Sequence, residues 1–169
     1  QTKHFLEIIQ RQSNRLNAII EDLLSLSGLE EQSEKRNIKM EVQNLNSVID
    51  GVIELVSTKA RQNNIKLTVD CPADAKGRIN ADLLEQALVN LVHNAIKYSP
   101  EESEVLIKVI TDGTSVKISV HDNGCGIDQQ HLSRIFERFY VVDKARSRNL
   151  GGTGLGLAIV KHIALVHRG

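Results

Sequence analysis

The sequence predicts an α+β fold: a mixed sheet packed on three helices, preceded by one long coiled-coil-like helix. Three observations lead there. Segments with strand period and segments with helix period alternate from Ile38 to the end of the chain. An Asp112-Gly113 pair between two β-branched runs signals a hairpin, so the sheet is mixed rather than purely parallel. Residues 1–30 place Phe5, Ile9, Gln12, Leu16, Ile19, Leu23 and Leu26 in steps of four and three, a heptad seam.

Leu6, Ile20 and Leu24 widen that seam toward a bundle, and the chain offers no second helix of the same kind, so the bundle is expected to be intermolecular. Gly28 and the polar run 30–37 mark its exit. The alternating run 38–43 predicts a short strand. Helical period follows over 45–62, with Asn46 or Ser47 as the N-cap. IKLTVD (65–70) is a second strand, closed by Pro72, and the chain after Gly77 leads into a helix from Ala81 toward Pro100. There Leu84, Leu88, Leu91 and Ala95 recur at three and four, with Asp82 suited to the positive end. The hairpin spans 105–113 and 115–122. Residues 127–140 read as helical toward their end, 141–149 are charged and aperiodic, and 151–167 are a glycine-rich loop entering a buried helix.

The 169 residues suit one ordinary domain with an appendage. Zero net charge argues against a nucleic-acid face, and aromatics at 3% without Trp make the core aliphatic. No apolar run approaches the roughly 20 residues that span a bilayer, and no signal peptide is visible. Cys71 and Cys125 are isolated, with neither CxxC nor zinc spacing, which points to a reducing, cytosolic setting.

Chemistry gathers at four places. Asn90 and Asn94 stand one helical turn apart, followed by Lys97 and Tyr98. Amide oxygens ligate hard cations such as Mg2+ and an ammonium meets phosphate, although a solvated amide and a core ring fit the same pattern. Asp122 ends a strand and can accept from an exocyclic amine, with Gly124 and Gly126 letting backbone approach a flat ligand; a plain Asx turn reads the same. Lys144, Arg146 and Arg148 form either a solvated loop or a closing lid of cations. GGTGLG (151–156) opens a helix and suits phosphate. A charged loop, not a strand, precedes it, so a Rossmann reading is rejected.

In this order, the four places resemble the ATP-binding domain of sensor histidine kinases, the Bergerat-type fold. NLVHNAIKYS (90–99) looks like the family's asparagine box, DNGCGI (122–127) its first glycine box, IFERFY (135–140) its phenylalanine box and GGTGLGLAIVKHI (151–163) its second glycine box. Residues 1–30 resemble the second helix of the dimerisation and phosphoacceptor domain, 31–37 a linker and 38–169 the catalytic domain.

The resemblance implies roles. Asn94 would hold Mg2+ and, with Lys97, act in catalysis; Asn90 would sit beside the phosphates, Lys97 meet one of them, and Tyr98 the nucleoside. Asp122 would take the adenine amine in a pocket shaped by Gly124 and Gly126. Phe136 and Phe139 would anchor the near end of the lid, Tyr140 would count among the cofactor-binding residues, and Gly152, Thr153, Gly154, Leu155 and Gly156 would wrap the phosphates of ATP. Related hydrolases place a glutamate base one turn before the metal-binding Asn. Here Asn90 stands there and cannot take a proton from water, which favours phosphoryl transfer to a histidine. The implied partners are a second copy through the N-terminal helix and a response regulator receiver domain, and the implied setting is the cytoplasmic portion of a membrane-anchored receptor.

Three departures stand out. The phosphoacceptor motif, His then an acid and Arg-Thr-Pro, is absent, since Phe5-Leu6-Glu7 follow His4; the chain reads as a fragment. Val141 stands where many members carry a phosphate-reaching arginine, which raises an alternative: a nucleotide-binding signalling module with weak or no transfer unless Arg138, Lys144 or Arg146 compensates. The strands expected after the last helix are missing, since the sequence ends at Gly169. A bare dimerisation module, with no nucleotide affinity, is the third reading. His93, His121 and His162 are read as packed or exposed side chains, and Cys125 as a tolerant small residue in a turn.

Overall fold

The computed structural model describes residues 2–34, 38–143 and 152–169. The chain forms α1 (Thr2–Glu34), β1 (Glu41–Asn44), α2 (Leu45–Gln62), β2 (Lys66–Asp70), β3 (Lys76–Ile79), α3 (Ala81–Tyr98), β4 (Glu104–Thr111), β5 (Val116–His121), α4 (Gln129–Leu132) and α5 (Gly156–Val166). These elements group into two compact units, one of residues 38–127 with 163–169, the other of 1–37 with 128–162.

In the first unit the sheet is mixed, as the hairpin predicts. β2 runs parallel to β4, with Leu67 opposite Val105, and β4 runs antiparallel to β5, with Val109 opposite Ile118. Along β4 the side chains of Val105, Ile107 and Val109 are buried at every second position, the period of a pleated strand with one covered face. Val48, Val52 and Val56 of α2 and Leu88, Val92 and Ile96 of α3 join them in one aliphatic core. The caps differ from the expected ones. Asn44, not Asn46 or Ser47, starts α2: its Oδ1 accepts from the Asn46 N–H at 2.9 Å, while the Asn46 amide donates to Pro72 O at 2.9 Å. β1 feeds straight into the helix, so the last strand residue becomes the cap. Asn80 caps α3 by accepting from the Leu83 N–H at 3.1 Å. Its own N–H donates to Nε2 of His167 at 3.1 Å, tying the chain after Ile163 into this unit.

Two local readings change. β3 escapes the sequence because KGRI carries one apolar side chain, a glycine and two cations; its strand character comes from antiparallel pairing with β1, Val42 opposite Arg78. In β1 itself the apolar alternation misleads, since Val42 is exposed and Gln43 half-buried.

At the hairpin, Asp112 accepts from the N–H and hydroxyl of Ser115 at 2.7 and 2.8 Å, and from the same pair on Thr114 at 3.0 Å each. These bonds, those from Ser115 foremost, hold its carboxyl well below the usual carboxylate range. A carboxyl depressed in the folded chain stabilises it fully above its unfolded value, near 4, and loses that contribution as pH falls below it. The turn amides of Thr114 and Ser115 should therefore exchange faster as pH drops from about 5 to 2 than intrinsic chemistry predicts. In Asp112→Asn that excess acid dependence should vanish.

In the second unit α1 runs straight through Gly28 to Glu34, past the expected exit, because the glutamates and glutamine that follow favour helix. Leu26 and Leu29 are buried, whereas Phe5, Leu6, Ile9, Leu16, Ile20, Leu23 and Leu24 of the heptad stripe are exposed. Residues 127–140 are helical at their start and not toward their end. α4 is a single turn, after which successive turns carry the chain to Tyr140. Phe139 adopts φ +61° and donates its N–H to Gly154 O at 2.9 Å, so its backbone serves a neighbouring segment instead of a helix. Among the described residues no helix is long and apolar enough to cross a membrane.

Candidate functional site

Asn90, Asn94, Lys97 and Tyr98 all lie on the last two and a half turns of α3, each half-buried. α3 is held at its far end by the Asn80 cap and along its length by the core, so these side chains ride on a rigid element. The Asn90 amide donates to Gln86 O at 3.1 Å, which uses one of its two N–H donors. The Lys97 ammonium sits 5.2 Å from the Tyr98 ring centroid, within cation–π range.

The turn leaving β5 meets this end of α3. Asp122 Oδ1 accepts from the Gly124 N–H at 2.7 Å, the Asx turn expected of the pair. A methyl group built on Gly124 would lie 2.7 Å from that oxygen and 3.1 Å from the carbonyl oxygen of Tyr98. Only a residue without Cβ lets the turn lie against the helix end at this distance. Asn94 stands one turn back from Tyr98 on α3, and Asp122 two residues before Gly124 in the turn that meets it. Gly126 follows with φ +71°, and Cys125 between the two glycines is exposed. Gly124→Ala should push the turn off α3 and lower the melting temperature by a few degrees, since the half-buried position meets the Tyr98 backbone and overpacking costs about 1–3 kcal/mol. Adenine-nucleotide affinity, read by calorimetry, should weaken roughly fivefold to twentyfold, the cost of a misplaced polar contact.

Tyr140, Gly152, Thr153, Gly154, Leu155 and Gly156 belong to the second unit. Gly154 has φ +76°, and a Cβ there would fall 2.9 Å from Phe139 Cα, so this glycine too is required by close backbone approach. Leu155 is fully buried at the start of α5. The Thr153 hydroxyl receives the Leu155 N–H at 3.2 Å and donates to Asp22 Oδ2 on α1 at 2.7 Å. Burial raises the Asp22 carboxyl above its ordinary range, against the lowering effect of that hydroxyl. Tyr140 OH lies 2.6 Å from Nδ1 of His131, and the Arg134 guanidinium stacks 4.3 Å from the Tyr140 ring centroid while chelating Glu137. Sequence reasoning passed over His131, Arg134 and Asp22, because the bonds that single them out join residues far apart or in turns without period. Phe136 and Phe139 are exposed. Lys144, Arg146 and Arg148, the expected cation loop, lie outside the described residues, as does Gly151.

A mixed three-stranded sheet under an amide-bearing helix, with an Asp-Gly turn against that helix's end, defines the class: an ATPase domain of the Bergerat type. The chain belongs to the family described as histidine kinase-, DNA gyrase B-, and HSP90-like ATPase, whose model matches residues 79–169, more than half of it. Among its relatives, the sensor-like histidine kinase SenX3 of Mycolicibacterium smegmatis is 40% identical over 167 residues, 99% of this chain and 43% of that protein. The chain thus spans less than half the length of this relative. The histidine kinase ThkA, solved in complex with the response regulator protein TrrA, matches with TM-score 0.68 and 28% identity over 83% of this chain and 41% of that one. Full-length ShkA, solved with AMPPNP, matches with TM-score 0.72 and 25% identity over 97% of this chain and 34% of that one.

Proposed function

We propose that this chain is the ATP-binding catalytic portion of a sensor histidine kinase, transferring the γ-phosphoryl of ATP to a histidine on a dimerisation domain for relay to a response regulator receiver domain. The observation that supports the reading is the close approach of the Gly124 turn, which bears Asp122, to the Tyr98 carbonyl at the end of α3, the helix that bears Asn94 and Lys97. Asp122 Oδ1 is occupied by Gly124 N–H, so Oδ2 is the oxygen for the adenine amine. Tyr98 offers its ring to the nucleoside and Lys97 its ammonium to a phosphate.

The donor set at α3 fits a hard cation that takes one protein oxygen and completes its shell from phosphate and water, which is how Mg2+ binds with nucleotides. Asn94 would hold it, with Asn90 beside the phosphates, and the ion would supply neutralisation of charge on the phosphoryl oxygens. Gly152, Thr153, Gly154, Leu155 and Gly156, at the start of α5, would wrap the phosphates with backbone N–H groups. Neither amide can deprotonate water, so positioning and electrostatics favour transfer to a strong nucleophile over hydrolysis. The exposed stripe of Phe5, Ile9, Leu16 and Leu23 on α1 is the expected seam for a second copy. His4 lacks the acid and Arg-Thr-Pro that follow a phosphoacceptor, so the acceptor histidine is supplied from elsewhere. The parent protein is read as a membrane-anchored receptor with this portion in the cytoplasm. We assign residues 1–30 to the dimerisation domain, 31–37 to a linker and 38–169 to the catalytic domain.

The alternative raised by Val141, a binding module without transfer, is not favoured: kinship with a sensor-like histidine kinase over nearly the entire chain supports the catalytic reading. Calorimetric titration with ATP and Mg2+, followed by transfer to an added phosphoacceptor helix pair, tests the proposal. Binding with transfer is expected. Binding without transfer would restore the Val141 alternative, and absence of binding would overturn the nucleotide site itself.

A further inference from the structure

The proposed nucleotide site makes no use of His131 or Arg134, yet both hold Tyr140. The Tyr140 hydroxyl lies 2.6 Å from Nδ1 of His131, and the Arg134 guanidinium stands 4.3 Å from the ring centroid. Arg134 is itself fixed, since its Nε and Nη2 donate to Oε2 of Glu137 at 3.2 and 3.0 Å. The residue before Tyr140 is Phe139, with φ +61°, the left-handed region that a bulky side chain rarely enters. Such a conformation persists only where its surroundings over-determine it. Here they do so from two directions. Tyr140 is clamped on one side, and on the other the Phe139 N–H donates to Gly154 O at 2.9 Å. The two backbones are so close that a Cβ on Gly154 would fall 2.9 Å from Phe139 Cα. The next N–H, that of Leu155, donates to the Thr153 hydroxyl at 3.2 Å. The peptide unit that enters α5 is therefore pinned at both of its polar atoms.

We propose that His131 is a positioning residue for the phosphate end of the nucleotide site: through Tyr140 it keeps Phe139 left-handed, and Phe139 in turn holds the Gly154 carbonyl aside. Glycine leaves that peptide free to rotate, and a carbonyl oxygen turned toward a phosphate would repel it. Without the clamp on Tyr140, Phe139 relaxes to negative φ and its N–H swings off the Gly154 carbonyl. The start of α5 then loses the one orientation in which its N–H groups suit an anion. This inference rests on the reading of residues 152–156 as the phosphate cradle.

The test uses the whole chain, with His131→Ala and Tyr140→Phe made separately and together. Tyr140→Phe removes only a hydroxyl, so it stays informative if His131→Ala folds poorly. Without nucleotide, the Phe139 amide should exchange about tenfold faster in each variant, the loss of one hydrogen bond's worth of protection. With Mg2+ present, ATP should bind roughly threefold to tenfold more weakly than to the parent. Adenosine, which carries no phosphate, should bind within about twofold of the parent by NMR titration. The double variant should lose no more than either single one, because both break the same bond. Unchanged exchange at Phe139, or losses that add in the double variant, would overturn the brace through Tyr140. Faster exchange with parent-like ATP affinity, or equal losses for adenosine and ATP, would overturn its part in phosphate binding and leave the nucleotide site standing. No binding of ATP by the parent would overturn the cradle reading and this inference with it.

Discussion

Replacing Asn94 by alanine is expected to lower phosphoryl transfer to an added phosphoacceptor domain by about two to three orders of magnitude, the usual cost of removing one preorganised electrostatic contact from a reaction centre. Asn94 sits on α3 with its neighbours Ala95 and Ile96 in the core and its own side chain half-buried. Alanine is the better helix former, so the fold should hold and the melting temperature should stay within about 2 °C. The loss should fall chiefly on the transfer step, with nucleotide affinity in Mg2+ reduced and affinity without Mg2+ nearly unchanged. Calorimetry with and without the metal, beside a single-turnover transfer assay, separates these. Equal affinity losses in both conditions would place Asn94 outside any metal contact.

Ile107→Ala should do the opposite, costing stability first. Ile107 is fully buried in the middle strand of the three, between Val69 on β2 and Val120 on β5. Deleting its three carbons forfeits their burial and opens a cavity between sheet and helices, a loss of about 3 kcal/mol at a site so enclosed. For a domain of this size that lowers the melting temperature by about 6–12 °C, measurable by calorimetric melting. Nucleotide affinity measured well below the transition should stay within about twofold, since the proposed site rests on the end of α3 and the Asp122 turn.

The fold was legible where burial imposes a period. The stripes of α2 and α3 and the alternation of Val105, Ile107 and Val109 are written by one covered face each. β3 was not legible, because its residues gain strand geometry only from β1. The end of 127–140 was misread because its apolar residues suggest a helix, whereas Phe139 spends its N–H on Gly154, fifteen residues later. At the candidate site, Asn90, Asn94, Lys97 and Tyr98 could be grouped from helical spacing alone. That the Asp122 turn abuts Tyr98 required the closeness that only Gly124 permits, a fact of backbone distance that no local pattern encodes.

The parallel pairing of β2 with β4 sets a constraint on how the chain reaches its native state. Lys66 and Glu104 are opposite each other yet far apart along the chain, and β3 and α3 form the crossover between them. Closing so long a loop is entropically slow, whereas the β4–β5 ribbon forms locally and fast. The helix bearing Asn94 is thus fixed in the same late event that completes the sheet, and a nascent or partly unfolded chain would acquire its ligand-binding capacity only with its last long-range contacts.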